Sequence, residues 1–127
     1  MHHSRLCALV LDCKVDDLGD AARFWSAALG KPIAALDQDG DGRYAELRTA
    51  TDEPLILLQK VDHESRVHLD VETDDIEAEA ARLEQLGAKR IAFVRQRWWV
   101  MEAPSGQRFC VVRKQRDEFG PHLNRWD

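Results

Sequence analysis

Cysteine is scarce in this chain of 127 residues: there are three, Cys7, Cys13 and Cys110, an odd number with no Cys-x-x-Cys pair among them. That excludes a disulfide framework and a zinc ribbon, and because each thiol lies in an apolar stretch, reduced and buried cysteines are expected. Glycine (7) and proline (4) are too few for a fibrous or disordered chain. No apolar run approaches the ~20 residues that span a bilayer, and Met1-His2-His3-Ser4-Arg5 carries no signal-peptide hydrophobic region, so a cytoplasmic protein is expected. Basic residues are outnumbered and scattered, with a net charge of −5, which argues against a nucleic-acid or membrane surface and leaves small molecules as the expected partners. Glycine-rich phosphate loops and a Gly-x-Ser-x-Gly elbow are absent.

What is present is a repeat. Val10-Leu11-Asp12-Cys13-Lys14-Val15-Asp16-Asp17-Leu18 matches His68-Leu69-Asp70-Val71-Glu72-Thr73-Asp74-Asp75-Ile76 at a constant offset of 58 residues. Each copy runs into an amphipathic helix. In the first, Leu18, Ala21, Ala22, Trp25, Ala28 and Leu29 recur at spacings of three and four before Gly30; in the second, Ile76, Ala80, Leu83 and Leu86 do so before Gly87. Asp16 and Asp74 stand where a side chain can cap the first turn. Strand-like runs precede each helix (6–13 and 66–71), and three follow it: 32–36, 43–47 and 54–61, then 90–94, 97–101 and 108–112. The expectation is one α+β domain over 1–127, made of two tandem βαβββ modules at about 5–62 and 65–114 with curved mixed half-sheets enclosing a pocket, and a tail at 115–127 that packs back on the domain or on a second subunit as a homodimer.

The paired plan, the Phe24-Trp25 pair, the Val67-His68-Leu69-Asp70 strand and the Pro104-Ser105-Gly106-Gln107 turn resemble the vicinal oxygen chelate superfamily, above all its glyoxalase-like domains. The resemblance covers almost the whole chain. It implies a ligand cavity between half-sheets and, in the metal-using members, a divalent cation held by His or Gln early and Glu late in each half. Here the early positions carry Val10 and His68. Cys110 stands at one late position, and its counterpart is Ile56 or Leu57 according to whether a one-residue gap is allowed. Two donors fall short of the three or four that a catalytic metal needs, so no metal and no other cofactor is expected.

Side chains alternate along a strand, so His68 shares a face with Asp70, and Val10 with Asp12. His68, Asp70 and Asp12 form a candidate catalytic cluster in which a carboxylate orients the imidazole, with bracing of the strand-to-helix turn as the structural alternative. Gln59, Trp25, Trp98 and Cys110 are candidate ligand-binding residues. Of the adjacent Trp98 and Trp99, one alone can face a cavity. The expected function is metal-independent binding of an apolar or aromatic small molecule between the modules. The alternatives are a lyase or isomerase using His68 with the nearby carboxylates, or a metal-dependent dioxygenase-type enzyme. Asp37-Gln38-Asp39-Gly40-Asp41-Gly42 imitates an EF-hand opening, but Arg48 occupies the twelfth position and strands flank it, so a hairpin turn is expected.

Overall fold

A computed structural model describes residues 1–36 and 42–127, so the EF-hand-like loop, apart from Gly42, lies outside the described residues. The chain divides into two compact units, residues 8–67 and residues 1–7 with 68–127. Both have mixed α+β architecture.

In the first unit the latter part of β1 (His2–Cys13) leads into α1 (Leu18–Leu29), followed by β2 (Ile33–Leu36), β3 (Tyr44–Leu47) and β4 (Leu55–Lys60). The sheet order is β2-β3-β4-β1, with antiparallel pairing up to β4 and parallel pairing of β4 with β1. Alternation decides which face α1 covers. Leu47, Ile56, Leu58 and Cys13 point toward the helix and pack against its Leu18 and Ala22, while Val10, Asp12 and Gln59 take the other face.

The second unit repeats this plan with β5 (Arg66–Thr73), α2 (Ile76–Gln85), β6 (Lys89–Val94), β7 (Trp98–Glu102) and β8 (Arg108–Arg113). Its order is β5-β8-β7-β6, parallel between β5 and β8 and antiparallel thereafter. Met101 and Val111 are fully buried against Ala80 of α2. The duplication seen in the sequence is therefore a duplication of strand order as well. The tail packs back on its own unit as β9 (Asn124–Trp126), antiparallel to His2–Ser4, with the Trp126 indole N–H donating to Ser4 Oγ at 2.8 Å and the Arg82 guanidinium 3.8 Å over its ring.

The helix starts differ from expectation by one residue. Asp17 and Asp75 are the caps, accepting from the amides of Gly19 (2.8 Å) and Ala78 (3.0 Å). Of two adjacent aspartates only the one with extended backbone directly before the helix aims its carboxylate at the first-turn amides. Asp74 turns instead to His3, accepting from its amide and its ring nitrogen at 2.8 Å each. Asp17→Ala and Asp75→Ala should each cost about 0.5–2 kcal/mol, and Asp16→Ala clearly less, as read by urea denaturation; a larger loss for Asp16→Ala would contradict the capping assignment. Gly30 ends α1 in the left-handed region (φ 68). At Gly87 (φ 107) a Cβ would stand 3.0 Å from Pro104 Cγ, so glycine is required twice over.

Candidate functional site

The second half-sheet has one face covered by α2 and one turned away from it. Phe109 and Val111 of β8 join the α2 cluster, so Cys110 between them points to the far side. The parallel register sets Cys110 directly beside Asp70, and β7 continues the row through Val100, opposite Cys110. Trp98, two residues before Val100, shares that face, while Trp99 turns to α2, where Phe93 lies 4.9 Å away and the Arg90 guanidinium sits over its ring. The register thus decides between the adjacent tryptophans.

His68, Asp70 and Cys110 come together on the face away from α2, each offering a donor atom within 4.8 Å of the others. His68 Nε2 stands 3.4 Å from Asp70 Oδ1, and both side chains are largely buried. Asp70 Oδ1 has no contact with solvent and accepts no hydrogen bond. Cys110 is half-buried, where full burial was expected.

The polar row extends further than the sequence reading took it. Glu72, fully buried, follows Asp70 on the same face, and the buried Arg5 of β1 approaches it with Nε 3.5 Å from Oε1 while donating to the Pro121 carbonyl at 2.8 Å. Cys7 completes the row: burial pushes its thiol well up, a hydrogen bond to Glu72 and the charges of Glu72 and Asp70 push the same way, and Arg5 opposes them. It remains a thiol at neutral pH. Burial and the Asp12 charge likewise raise Cys13. The signal for Glu72 was present in the polar alternation His68-Asp70-Glu72 between Leu69, Val71 and Thr73.

The remaining candidates lie in the first unit. Asp12 is buried, with Arg66 Nε at 3.6 Å and His63 Nε2 at 4.0 Å from Oδ2. Gln59 pairs with Asp12 across the parallel strands and donates to Tyr44 Oη at 3.5 Å. Cys110 has the same relation to Asp70, so its counterpart is Gln59; Ile56 belongs to the helix-side core. Trp25 joins none of these groups: its ring packs in the α1 core and edge-on against Phe24.

A recess of about 810 Å³ opens on the opposite, α2-covered side of the second unit, between Ile76, Phe93, Trp99 and Phe119. Its acids are engaged already: Asp74 by His3, Asp75 by the helix start and Glu77 by Arg90. Donor groups converge instead in the His68 row.

A family model of the glyoxalase-like domain matches residues 8–112. This chain belongs to that family. The glyoxalase-like domain is similar in structure to a hypothetical protein from Bacillus halodurans C-125 (TM-score 0.65, 14% identity, 91% of this chain and 97% of that one). It is also similar to methylmalonyl-CoA epimerase from Mycobacterium tuberculosis (TM-score 0.63, 18% identity, 85% of this chain and 86% of that one). A variant of homoprotocatechuate 2,3-dioxygenase from B. fuscum matches at a TM-score of 0.56 and 18% identity, over 85% of this chain and 32% of the dioxygenase. The epimerase and the dioxygenase have folds of the vicinal oxygen chelate superfamily. No curated protein sequence matches this glyoxalase-like domain. Among its described residues no helix is long and apolar enough to cross a membrane.

Proposed function

We propose that this domain binds a small molecule on the face of the second half-sheet that points away from α2, gripping a polar head at His68, Asp70 and Cys110 and laying an apolar or aromatic body toward Trp98. The observation that carries this reading is Asp70 Oδ1, shut off from water yet accepting no hydrogen bond. An orphaned buried carboxylate oxygen costs folding free energy, about 1–3 kcal/mol or more for a charged group, and native chains retain few of them without a use. A ligand that brings a donor or a positive charge to Asp70 recovers that cost on binding. The apolar surroundings of Val100 and Val112 suit a ligand whose remainder is not charged.

Native mass spectrometry of freshly isolated protein is the test. The expected result is a carried-over small molecule on the wild type and its loss from Asp70→Asn and Trp98→Ala, with Asp70→Asn no less stable than the wild type because it removes a buried charge. A ligand-free wild type, together with a destabilisation of Asp70→Asn by more than about 2 kcal/mol, would show that Asp70 braces the strand and would overturn the reading.

A further inference from the structure

Counting donors along the sequence finds His68 and Cys110 and stops at two. The sheet adds a third. Because β5 and β8 run parallel with Asp70 beside Cys110, and because Asp70 follows His68 at the two-residue period, imidazole nitrogen, carboxylate oxygen and sulfur all reach one point on the face. These three belong to one half of the duplicated fold. The other half offers Val10, Asp12 and Gln59 at the equivalent places, a set with no imidazole and no sulfur.

We propose that His68, Asp70 and Cys110 form a site for a thiophilic divalent cation of the zinc type, leaving one coordination position for an oxygen donor of the bound molecule. The inference rests on the ligand-binding reading above for that last position alone. Three observations support it. First, nitrogen and oxygen ligands lie about 2.0–2.2 Å from zinc, so a tetrahedral pair of them is separated by roughly 3.3–3.5 Å; His68 Nε2 and Asp70 Oδ1 are 3.4 Å apart. Second, Cys110 Sγ lies within 4.8 Å of a ring nitrogen of His68 and a carboxylate oxygen of Asp70, and a modest χ1 adjustment brings a sulfur to the longer zinc–sulfur distance of about 2.3 Å. Third, Asp70 Oδ1, beside His68, is buried and accepts no hydrogen bond, and a cation would engage it. The donor set also selects among metals. The His, Gln and Glu positions implied by the superfamily resemblance suit harder cations, whereas a sulfur beside an imidazole and a single carboxylate favours zinc over manganese or magnesium.

Cobalt(II) replacement gives a readout independent of any activity. Titrating the full-length, chelator-treated protein with cobalt under anaerobic conditions should produce a thiolate-to-cobalt charge-transfer band that saturates at one equivalent and is bleached by zinc. Cys110→Ser should abolish the band and weaken zinc binding by more than about 100-fold, beyond what losing an outer-shell partner does. Asp70→Asn should keep the band and weaken binding. Cys7→Ser, which removes the other thiol near Asp70, should leave both unchanged, and far-ultraviolet circular dichroism checks that each variant is folded. No band in the wild type, a band that survives Cys110→Ser, or one that disappears with Cys7→Ser overturns the proposal. A carried-over ligand on protein that shows no band would remove the metal and leave the ligand reading standing; a cobalt band on protein that carries no ligand would do the reverse.

Discussion

Glu79→Ala should destabilise the full chain by about 3 kcal/mol, the lower end of what breaking a buried ion pair costs. Glu79 sits on the inner side of α2 with no exposure at all. His2 Nε2 lies 2.8 Å from Oε1, and Arg82 closes a two-pronged pair from one turn on, Nε to Oε1 and Nη2 to Oε2 at 2.8 Å each. Truncation strands both partners, but a quarter of Arg82 reaches solvent, which is why the lower end applies. Burial alone would raise the carboxyl, yet hydrogen bonds from Arg82, His2 and Ser4 outweigh it and hold Glu79 below its ordinary value of 4.5. A depressed carboxylate contributes stability above its unfolded value and loses it as pH falls through the folded one. The gap between wild type and Glu79→Gln in urea midpoint should therefore be constant near neutrality and close below about pH 4.5. A gap that widens in acid, or an Ala variant within 1 kcal/mol of wild type, would contradict the account.

His2 and His3 also show where reading the chain stops. Nothing in Met1-His2-His3-Ser4 looks like a strand, because its residues are polar and its neighbours in space, Glu79, Asp74 and Trp126, are 71 or more positions away. The helices were legible because their information is local: spacing of three and four, a glycine stop, an aspartate start. The caps fall one residue later than expected for the same reason in reverse, since Asp16-Asp17 and Asp74-Asp75 are chemically identical pairs and only their position against the first helical residue separates them.

Site residues follow the same division. Period-two alternation is local, so the pairing of His68 with Asp70 on one face was visible in the sequence. The meeting of Asp70 with Cys110 depends on the register of two parallel strands joined through a helix and two further strands, and a slip of one residue would have turned Cys110 into the α2 core. Gln59 as the equivalent of Cys110, and Trp98 rather than Trp99 on the site face, are consequences of register too. Trp25 follows from local pattern instead: it lies on the amphipathic stripe of α1, where its ring packs against the core cluster.

The Arg5–Glu72 pair supplies the other large effect. Glu72→Ala should cost about 3–5 kcal/mol, because it leaves a guanidinium that is only 7% exposed without its counter-charge. The pair itself is poorly made: Nε and Oε1 are 3.5 Å apart, and Arg5 Nε donates no hydrogen bond. At that geometry the attraction scarcely offsets the desolvation of two ions, so replacing both with apolar residues of similar volume, Arg5→Met with Glu72→Leu, should recover most of the loss and bring the protein within about 1 kcal/mol of wild type. The lost bond from Arg5 to the Pro121 carbonyl accounts for the remainder at about 1 kcal/mol. A pair that can be exchanged so cheaply is retained for something other than stability. It faces Cys7 and follows Asp70 along β5, beside the proposed donor group, where a positioning role for Asp70 is open to test. The double variant, close to wild type in urea, should then bind cobalt about 10–100-fold more weakly. Equal cobalt affinity at equal stability would separate the pair from the site and leave its retention without a functional account.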